Sequence, residues 1–381
     1  MRDERGDVVV VGAGLIGLAI AFELAERGAA VRIFDLAEPA GAASWAGAGM
    51  LAPYTERVGD GAFLKLCASS LSEYPAFLAR VRAAGGIDAH LKLTGVMHAA
   101  FSAAQLEALH RRAQALESQH AHCSVLERGA LLEAEPWLGA SVVGGLAIWG
   151  EGCVDNRRMG RALVAACAAA GVHVERSSFI RVECDARRVL GIHADVGFVG
   201  AGTVVNACGA WAAQLAGVPQ DCVPPIEPIK GQMVALAAPS GFVRRPTWFP
   251  GGYLVPREDG RLLVGATVES VGFDERVTAD GVRQILHAAL VAAPSLSDFA
   301  LTESWAGLRP GTPDGLPFLG PTPIRGFFLA TGHYRNGILL APATARLTAD
   351  VIEGSDLSEL KPFLLDRLGT EEWRVGRITH A

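Results

Sequence analysis

Residues 7–17 read DVVVVGAGLIG, and after an apolar segment residues 30–35 read AVRIFD. The β-branched run at 8–11 is typical of a strand buried on both faces of a parallel sheet. Residues 18–25 place apolar side chains in helical register, and residues 30–34 predict a second strand. The stretch therefore predicts a strand–helix–strand unit whose glycine-rich turn contains Gly12, Gly14 and Gly17.

The spacing of these three glycines is typical of a dinucleotide-binding turn. The first glycine makes the turn, the second lets the backbone approach a pyrophosphate, and the third lets the helix pack on the strand. The helix that follows presents free N–H groups to the phosphates. Asp35 ends the second strand, where its carboxylate can accept hydrogen bonds from ribose hydroxyls. A glycine-rich turn that merely packs is the alternative interpretation.

The composition excludes several classes of protein. The 381 residues are 50% hydrophobic and 19% charged, whereas a disordered chain needs low hydrophobicity and high net charge. The net charge of −6 provides no basic field for DNA or RNA, so we expect no nucleic-acid partner. The length predicts two domains. The 45 glycines exceed the usual share without a Gly-X-Y period and require a local explanation.

Cysteine and histidine spacing predicts neither a metal site nor a disulfide framework. The seven cysteines are odd in number and contain no C-x-x-C pair. His110, His120 and His122 lie among polar residues without companion ligands, so we interpret them as solvated side chains. The first residues leave no room for a secretion signal, and the apolar stretch at 8–24 contains three glycines and is too short for a membrane span. We expect a reducing, cytoplasmic location and no membrane association.

The remaining chain predicts further helices and strands and one unusual loop. Residues 39–53 are rich in small side chains and are interpreted either as a flexible linker or as backbone lying against something flat. Residues 224–268 contain short alternating segments that predict antiparallel strands and a second domain. Elsewhere the pattern predicts helices at 62–84, 103–119 and 156–170, and strands at 172–175, 180–182 and 203–208.

Two later segments carry candidate anion-binding side chains. In WAGLRPGTPDGLPFLG, residues 305–320, Arg309 is flanked by glycine, leucine and proline rather than by polar surface residues. It is interpreted either as an anion-binding side chain or as a structural arginine inside a turn. A strand at 326–331 leads through GHYRNG, residues 332–337, into a predicted helix at 338–352, and this junction offers N–H groups to an anion. Tyr253 has apolar neighbours and needs a hydrogen-bond partner if it is buried.

These motifs occur together and in order, and the chain resembles the flavin-dependent amino-acid oxidases of the D-amino-acid oxidase superfamily. AGMLAP at 48–53, WAGLRPGT at 305–312 and GHYRNGILLAPAT at 332–344 resemble the glycine oxidase (ThiO) branch of thiamine biosynthesis. The resemblance covers residues 7–354. It implies an α/β fold with non-covalent FAD in a doubly wound, Rossmann-like domain of the glutathione-reductase type, and a second, smaller antiparallel-sheet domain that covers the flavin ring.

Together with the predicted elements, the resemblance divides the chain into three parts. The FAD-binding domain is discontinuous and is expected at 1–85, 141–222 and 305–360. The substrate-binding domain is expected at 86–140 and 223–304, followed by a C-terminal tail at 361–381.

The resemblance also implies roles for individual residues. Beside the glycine-rich turn, the adenosine end of FAD is expected on Leu15, Ile16, Asp35, Leu36 and Ile180. The pyrophosphate and flavin are expected on Ala43, Ser44, Ala48, Gly49 and Met50. The pyrimidine edge of the flavin is expected on His333, Tyr334, Arg335, Asn336, Gly337, Ile338 and Leu339, with the helix start near Gly337 stabilising the reduced ring. We further expect a side chain at Gly12, Gly14, Gly17, Gly41, Gly47, Gly49, Gly332 or Gly337 to collide with FAD.

The implied reaction is the oxidation of glycine, sarcosine or a small D-amino acid to an imine, with hydride transfer to flavin N5 and hydrogen peroxide formed from oxygen. Arg309 would bind the substrate carboxylate bidentately, and Tyr253 and Arg335 would complete the anion site. No side-chain acid or base is needed if the amine binds in its neutral form. Val268 stands where some glycine oxidases have a methionine, which leaves the preferred amine open.

The sequence leaves two alternative functions open and predicts several binding partners. A D-amino-acid dehydrogenase that uses FAD with a non-oxygen acceptor is one alternative, and a non-catalytic flavin-binding protein is another. The expected partners are an amino acid, oxygen, further copies of the chain in a homo-oligomer, and a thiazole synthase.

Overall fold

The predicted strand–helix–strand unit forms the start of a mixed α/β structure. The computed structural model describes residues 7–56 and 61–368. Residues 1–6, on which the expectation about a secretion signal rests, and residues 369–381 of the expected tail lie outside the described residues. The strands are β1 (Val8–Val11), β2 (Val31–Asp35), β3 (Met50–Leu51), β4 (Val96–Ala100), β5 (Cys123–Glu127), β6 (Gly144–Ile148), β7 (Gly152–Cys153), β8 (His173–Arg176), β9 (Arg181–Cys184), β10 (Val189–Ala194), β11 (Gly197–Gly200), β12 (Thr203–Asn206), β13 (Glu227–Ala237), β14 (Thr247–Phe249), β15 (Gly252–Pro256), β16 (Arg261–Gly265), β17 (Leu301–Gly311), β18 (Phe318–Pro321) and β19 (Phe327–Thr331).

The helices follow the predicted segments closely in most places. They are α1 (Leu15–Glu26), α2 (Ala43–Ala46), α3 (Ala62–Gly85), α4 (Ala103–Ser118), α5 (Arg128–Ala134), α6 (Asn156–Ala169), α7 (Ala279–Ala292) and α8 (Ala341–Ile352). Short 3-10 helices lie at Gly209–Gln214, Gln220–Cys222, Pro294–Asp298, Lys361–Phe363 and Leu365–Arg367. Among the described residues, no helix combines the length and the apolar character that crossing a membrane requires.

A six-stranded sheet carries the glycine-rich turn. Its strand order is β18-β19-β12-β1-β2-β8, and neighbouring strands are parallel except for β18 against β19. Val8 and Val10 of β1 pack into a core with α1, α3, α6 and α8, whereas Val9 and Val11 pack toward the small antiparallel sheet β9–β10–β11. The first strand is therefore buried on both faces, as its unbroken apolar run predicts.

An eight-stranded sheet forms the centre of the second domain. Its order is β17-β13-β16-β15-β14-β4-β6-β5, and its pairs are antiparallel except for β14 with β4. Along β13, Val234 and Leu236 face a core that includes α7, whereas Met233 and Ala235 face the loop at residues 43–50. The alternation places one face of this sheet against that loop of the other domain.

The sheets differ from the predicted domain boundaries at two points. Strand β6 pairs with β4 and β5, and β17 pairs with β13 over its whole length, so both belong to the eight-stranded sheet. The predicted boundaries at 141 and 305 cut these strands away from their partners. Pairing between distant segments decides these assignments, and the local pattern does not contain it.

Three local predictions are corrected. Helix α8 begins at Ala341, and residues 337–340 form turns, so the helix start is not at Gly337. The loop at 39–53, for which the sequence predicts no helix or strand, contains the short α2 and β3. The described part of the expected tail packs against the FAD-binding domain, because Phe363 and Leu365 are buried and the Phe363 ring lies 6.3 Å from that of Phe63 on α3.

Candidate active site

A cavity of about 490 Å³ lies between the glycine-rich turn, the loop at residues 43–50 and the inner face of the eight-stranded sheet. It brings together most of the residues predicted for the site, although they come from distant parts of the chain. The predicted residues that line it are Gly14, Leu15, Ile16, Ala43, Ser44, Ala48, Gly49, Met50, Tyr253, Arg309, His333, Tyr334, Arg335, Gly337 and Ile338.

The glycine-rich turn presents the start of α1 to this cavity. Gly14 is the N-cap and has no side chain that could cap the helix, whereas the Leu15 N–H donates to Ser44 Oγ at 3.0 Å. A Cβ at Gly14 would meet only Ser44 Oγ, at 3.4 Å, so the space beside this glycine is open. The remaining N–H groups at this helix start are suited to bind an anion such as a pyrophosphate.

Gly12 and Gly17 do not line the cavity. Glycine is required at both positions because protein backbone lies where a side chain would be. A Cβ at Gly12, where φ is +110°, would overlap the backbone of Ala207, and a Cβ at Gly17 would overlap the Gly12 carbonyl. Among the other glycines expected to touch FAD, a Cβ at Gly41, Gly47, Gly49 or Gly332 would also meet protein atoms first. Only Gly14 and Gly337 of that set leave room beside their α-carbons.

Of the residues expected at the adenosine end, Leu15 and Ile16 line the cavity, whereas Asp35, Leu36 and Ile180 do not. The Asp35 carboxylate accepts the Ala13 N–H at 2.5 Å and the Ala37 N–H at 2.8 Å, so it holds the glycine-rich turn directly. Leu36 is 56% exposed, and Ile180 is buried in the core beside β1. Their contact with a nucleotide stays a prediction.

Arg309 belongs to strand β17 rather than to a turn. Its guanidinium lies over Gly231 of the neighbouring strand, and Nη1 donates to the carbonyls of Lys230 and Thr267 at 3.3 Å each. The described residues place no carboxylate at ion-pair distance from it, and burial lowers the pKa of its guanidinium. These two long hydrogen bonds leave most of its planar donor set directed toward the cavity that it lines.

Tyr253 is 8% exposed, and its pKa is raised by burial. The hydroxyl partner found among the described residues is the Met233 sulfur at 3.9 Å, a weak acceptor. Its ring packs against Trp248, with the centroids 5.0 Å apart. A buried phenol with such a partner is available to donate to a ligand in the cavity.

Glu56 is the charged residue that sequence analysis missed. It lines the cavity, and its carboxylate lies 3.8 Å from Arg335 Nη1. Burial raises the pKa of Glu56 against the opposing effects of Arg335 and Arg309. Burial lowers the pKa of Arg335, but Glu56 together with Tyr334 and Tyr253 outweighs burial, so the pKa of Arg335 is raised. A carboxylate directly after the small-residue loop was a usable signal, but nothing in the spacing pairs it with Arg335.

The segment at 332–340 forms one wall of the cavity. His333 is buried, its Nε2 lies 3.1 Å from Thr344 Oγ1, and burial lowers its pKa to about 3, so the ring is neutral. Asn336 and Leu339 are buried away from the cavity, and the Leu339 carbonyl accepts the Ser70 hydroxyl at 2.6 Å. These two residues therefore shape the wall without lining it.

Further lining residues also escaped the sequence analysis. They are apolar or small and carry no signal that sets them apart from core residues: Ala46, Ala207, Gly209, Gly231, Met233, Trp248, Phe249, Gly251, Gly252, Ala266, Gly307, Pro310 and Ala330. Val268, which we had noted as a departure, does line the cavity. Among the described residues, no group of three or more metal-ligating side chains occurs.

Gly231→Ala is expected to lower kcat/KM about a hundredfold for the amine that the resemblance implies, mainly through KM, since misplacement of a binding group by about 1 Å can cost that much. The added methyl would overlap the Arg309 guanidinium, which can move because it is the end of a flexible side chain. Steady-state kinetics and flavin content measure the effect. Gly129→Ala, where nothing lies within 4 Å of the new methyl, is the matched control. Unchanged kinetics in Gly231→Ala would show that Arg309 need not occupy this position.

A buried polar network holds the segment that leads to Glu56. The Glu151 carboxylate accepts the N–H groups of Tyr54 and Thr55, at 2.6 and 3.1 Å, and the Thr55 hydroxyl at 2.5 Å. Arg112 donates to the carbonyls of Tyr54 and Thr55 at 2.8 Å. Burial raises the Glu151 pKa from 4.5 to about 7 in spite of these hydrogen bonds.

Glu151→Gln is expected to flatten the pH dependence of stability between pH 4.5 and 7. Because the Glu151 pKa is higher in the folded state, its contribution is complete below pH 4.5 and is lost as pH rises through about 7. A shift of this size corresponds to about 3 kcal/mol. Urea unfolding at pH 5 and pH 8 measures it, with Glu107→Gln, an exposed ion-pair partner of Arg111, as the control. Parallel pH profiles for wild type and Glu151→Gln would contradict the assignment.

Comparisons with known proteins identify the family. A family model described as FAD-dependent oxidoreductase matches residues 7–351. The glycine oxidase of Geobacillus kaustophilus is 37% identical over 368 residues, which cover 95% of this chain and 97% of that protein. The bifunctional protein ThiO/ThiG of Synechocystis is 37% identical over 367 residues, which cover 93% of this chain but 52% of that protein. The chain thus spans about half the length of this bifunctional relative.

A solved structure of a glycine oxidase has the same fold. The crystal structure of glycine oxidase from Geobacillus kaustophilus matches with a TM-score of 0.89 at 36% identity, and the match covers 95% of this chain and 99% of that one.

Proposed function

Because the chain belongs to the family of FAD-dependent oxidoreductases, we propose that it oxidises glycine and related small amines to imines, with oxygen as the electron acceptor. One observation carries the proposal. Arg309, Arg335 and Tyr253 line the same cavity as the glycine-rich turn and the loop at 43–50, so an anion-binding site adjoins a nucleotide-binding site.

The residues of the cavity fit FAD. The start of α1 and the open space at Gly14 suit the pyrophosphate. The loop continues the wall toward the substrate side with Ala43, Ser44, Ala48, Gly49 and Met50. His333, Tyr334, Arg335, Gly337 and Ile338 line the cavity from a separate segment. When bound, FAD accepts a hydride at N5 and passes two electrons to oxygen, which gives hydrogen peroxide.

The side chains of this protein bind and orient the amine. The planar Arg309 guanidinium pairs with the substrate carboxylate through two parallel N–H donors, and the Tyr253 hydroxyl donates a further hydrogen bond. Arg335 adds positive charge, which Glu56 balances at 3.8 Å. The neutral amine loses a hydride from its α-carbon and a proton from its nitrogen to solvent. Water then hydrolyses the imine to the oxo acid and an amine, which for glycine are glyoxylate and ammonia.

The apolar side of the cavity bears on the choice of amine. Met233, Trp248, Phe249, Gly251 and Val268 form an apolar wall beside Tyr253. Such a wall suits glycine, sarcosine or a small D-amino acid, and offers no charged partner for a second carboxylate. The preference among these amines is part of the proposal.

The experiment is to purify the protein, record its flavin absorbance, and follow peroxide with glycine, sarcosine, D-alanine and D-proline. We expect a yellow protein that forms peroxide in proportion to amine consumed. Flavin reduction by amines without peroxide formation would instead indicate a dehydrogenase with another acceptor. A flavin that no amine reduces would indicate a non-catalytic flavin-binding protein.

The cellular role is a separate proposal. A relative that carries ThiO and ThiG in one chain supports a role in thiamine thiazole biosynthesis, in which a thiazole synthase receives the product. We also propose a homo-oligomer in the cytoplasm, where the seven free thiols would stay reduced. Light scattering on the purified protein, alone and with a thiazole synthase, tests the assembly proposals.

A further inference from the structure

The loop at residues 43–50 is held from behind by donors from separate elements. Asn156 Nδ2 donates to the carbonyls of Ser44 and Trp45, at 2.8 and 3.1 Å. Three further carbonyls of the loop accept external donors: Trp305 Nε1 to Ala46 at 2.9 Å, Arg257 Nη2 to Ala48 at 2.7 Å, and the Val154 N–H to Gly49 at 2.8 Å. The carbonyls therefore point away from the cavity that the loop lines.

Arg257 is the charged member of this set, and it is 7% exposed. It follows strand β15 at the tip of a hairpin of the eight-stranded sheet, so it reaches the loop from the other domain. Besides Ala48, its Nη2 donates to Asn156 Oδ1 at 2.9 Å. A Cβ at Gly49 would lie 3.0 Å from Nη2, so the guanidinium lies directly behind a residue that lines the cavity.

The charge of Arg257 is not neutralised by direct contact. Within the described part of the chain, its guanidinium forms no ion pair with a carboxylate. The nearby Asp155 lies 3.4 Å from Arg261, and Asp259 lies 2.7 Å from Arg261. Burial lowers the pKa of Arg257, which agrees with a cation in a site of low polarity. An unneutralised buried cation lowers the stability of the fold. It can nevertheless stabilise negative charge that appears nearby during a reaction.

We propose that Arg257 is a positioning residue for FAD. Together with Asn156 it fixes the loop at 43–50, and its own positive charge behind that loop favours the reduced cofactor. The hydrogen bonds of Arg257 and Asn156 set the shape of the loop, and hence FAD affinity. The charge acts differently: reduced FAD is more negative than oxidised FAD, so a fixed cation in a poorly polar site stabilises the reduced form more. The inference rests on the FAD cofactor of the family and not on the identity of the amine.

The test separates these two effects by measuring FAD affinity and the two-electron midpoint potential in reconstituted holoprotein. Arg257→Gln is expected to weaken binding of oxidised FAD about tenfold and of reduced FAD about a hundredfold. The tenfold difference lowers the midpoint potential by about 30 mV. Arg257→Lys keeps the charge and should retain the potential while losing affinity. Asn156→Ala removes neutral hydrogen bonds and should lower affinity at an unchanged potential.

Asn156→Asp places a negative charge beside an intact Arg257 and should lower the potential as Arg257→Gln does. It keeps the test decisive if Arg257→Gln does not fold. Arg283→Gln, at an exposed ion pair on α7, is the control and should change neither quantity. A wild-type potential in folded Arg257→Gln, or in Asn156→Asp if the former does not fold, would overturn the charge role. Wild-type FAD affinity in Asn156→Ala and Arg257→Lys would overturn the positioning role.

Discussion

Arg309→Ala is expected to lower kcat/KM for glycine about a thousandfold while FAD remains bound. The variant loses two hydrogen bonds between charged groups, each of which contributes about 1.5–3 kcal/mol. A loss on the order of 4 kcal/mol corresponds to about three powers of ten in rate. The contacts of Arg309 with protein are two long hydrogen bonds to backbone carbonyls, so the fold and the loop at 43–50 should not change.

Steady-state peroxide kinetics with glycine and flavin absorbance measure the two parts of this result. Arg309→Lys is the informative second variant, because it keeps the charge and loses the planar pair of donors; it should recover only part of the activity. Arg283→Ala, at an exposed arginine of α7, controls for the loss of an arginine in general. Equal turnover of small amino acids by Arg309→Ala and wild type would show that Arg309 does not bind the carboxylate.

The family, the fold class and the FAD cofactor could all be predicted from the sequence. The reason is that each depends on local segments: an unbroken β-branched strand, a turn with three glycines, and two motifs around Arg309 and Arg335. These segments can be recognised without knowing which distant parts of the chain they contact. The comparisons confirm these three predictions.

The features that the sequence did not disclose depend on contacts between distant segments. Glu56 becomes a site residue only because Arg335 lies 3.8 Å away. The assignment of β6 and β17 to the eight-stranded sheet depends on partners far along the chain. Gly231 was not singled out at all, since its role is to leave space for a guanidinium on the neighbouring strand. None of these relations has a periodic signal in the local sequence.

The glycine-rich turn shows the same limit within a single motif. Its three glycines were given roles by analogy, and the structure separates them by what a Cβ would meet. Gly12 and Gly17 would overlap protein backbone, whereas Gly14 borders open cavity. The motif therefore combines two packing requirements with one binding requirement, and substitutions can separate them.

Gly17→Ala is expected to destabilise the protein and abolish FAD binding, whereas Gly14→Ala is expected to weaken FAD binding alone. A methyl at Gly17 would overlap the Gly12 carbonyl and lie 3.2 Å from Val10 Cγ1, so backbone must shift, at a cost of roughly 3 kcal/mol. At Gly14, φ is −70° and ψ is 176°, an extended conformation that alanine adopts readily. The new methyl would meet only Ser44 Oγ, so the stability of the apoprotein should change by less than about 0.5 kcal/mol.

Urea unfolding of the apoproteins and fluorescence titration with FAD distinguish the two glycines. For Gly14→Ala we expect wild-type unfolding and at least a hundredfold (~2.7 kcal/mol) loss of FAD affinity, because the methyl enters the space where backbone approaches the pyrophosphate. Gly28→Ala is a poor control, since φ there is +90°, whereas Gly129→Ala adds a methyl in open space on a helix. If Gly14→Ala binds FAD as tightly as wild type, the open space at Gly14 is not the pyrophosphate site. Loss of stability in both variants would instead assign all three glycines to packing, and the binding site would then have to begin at the loop at 43–50.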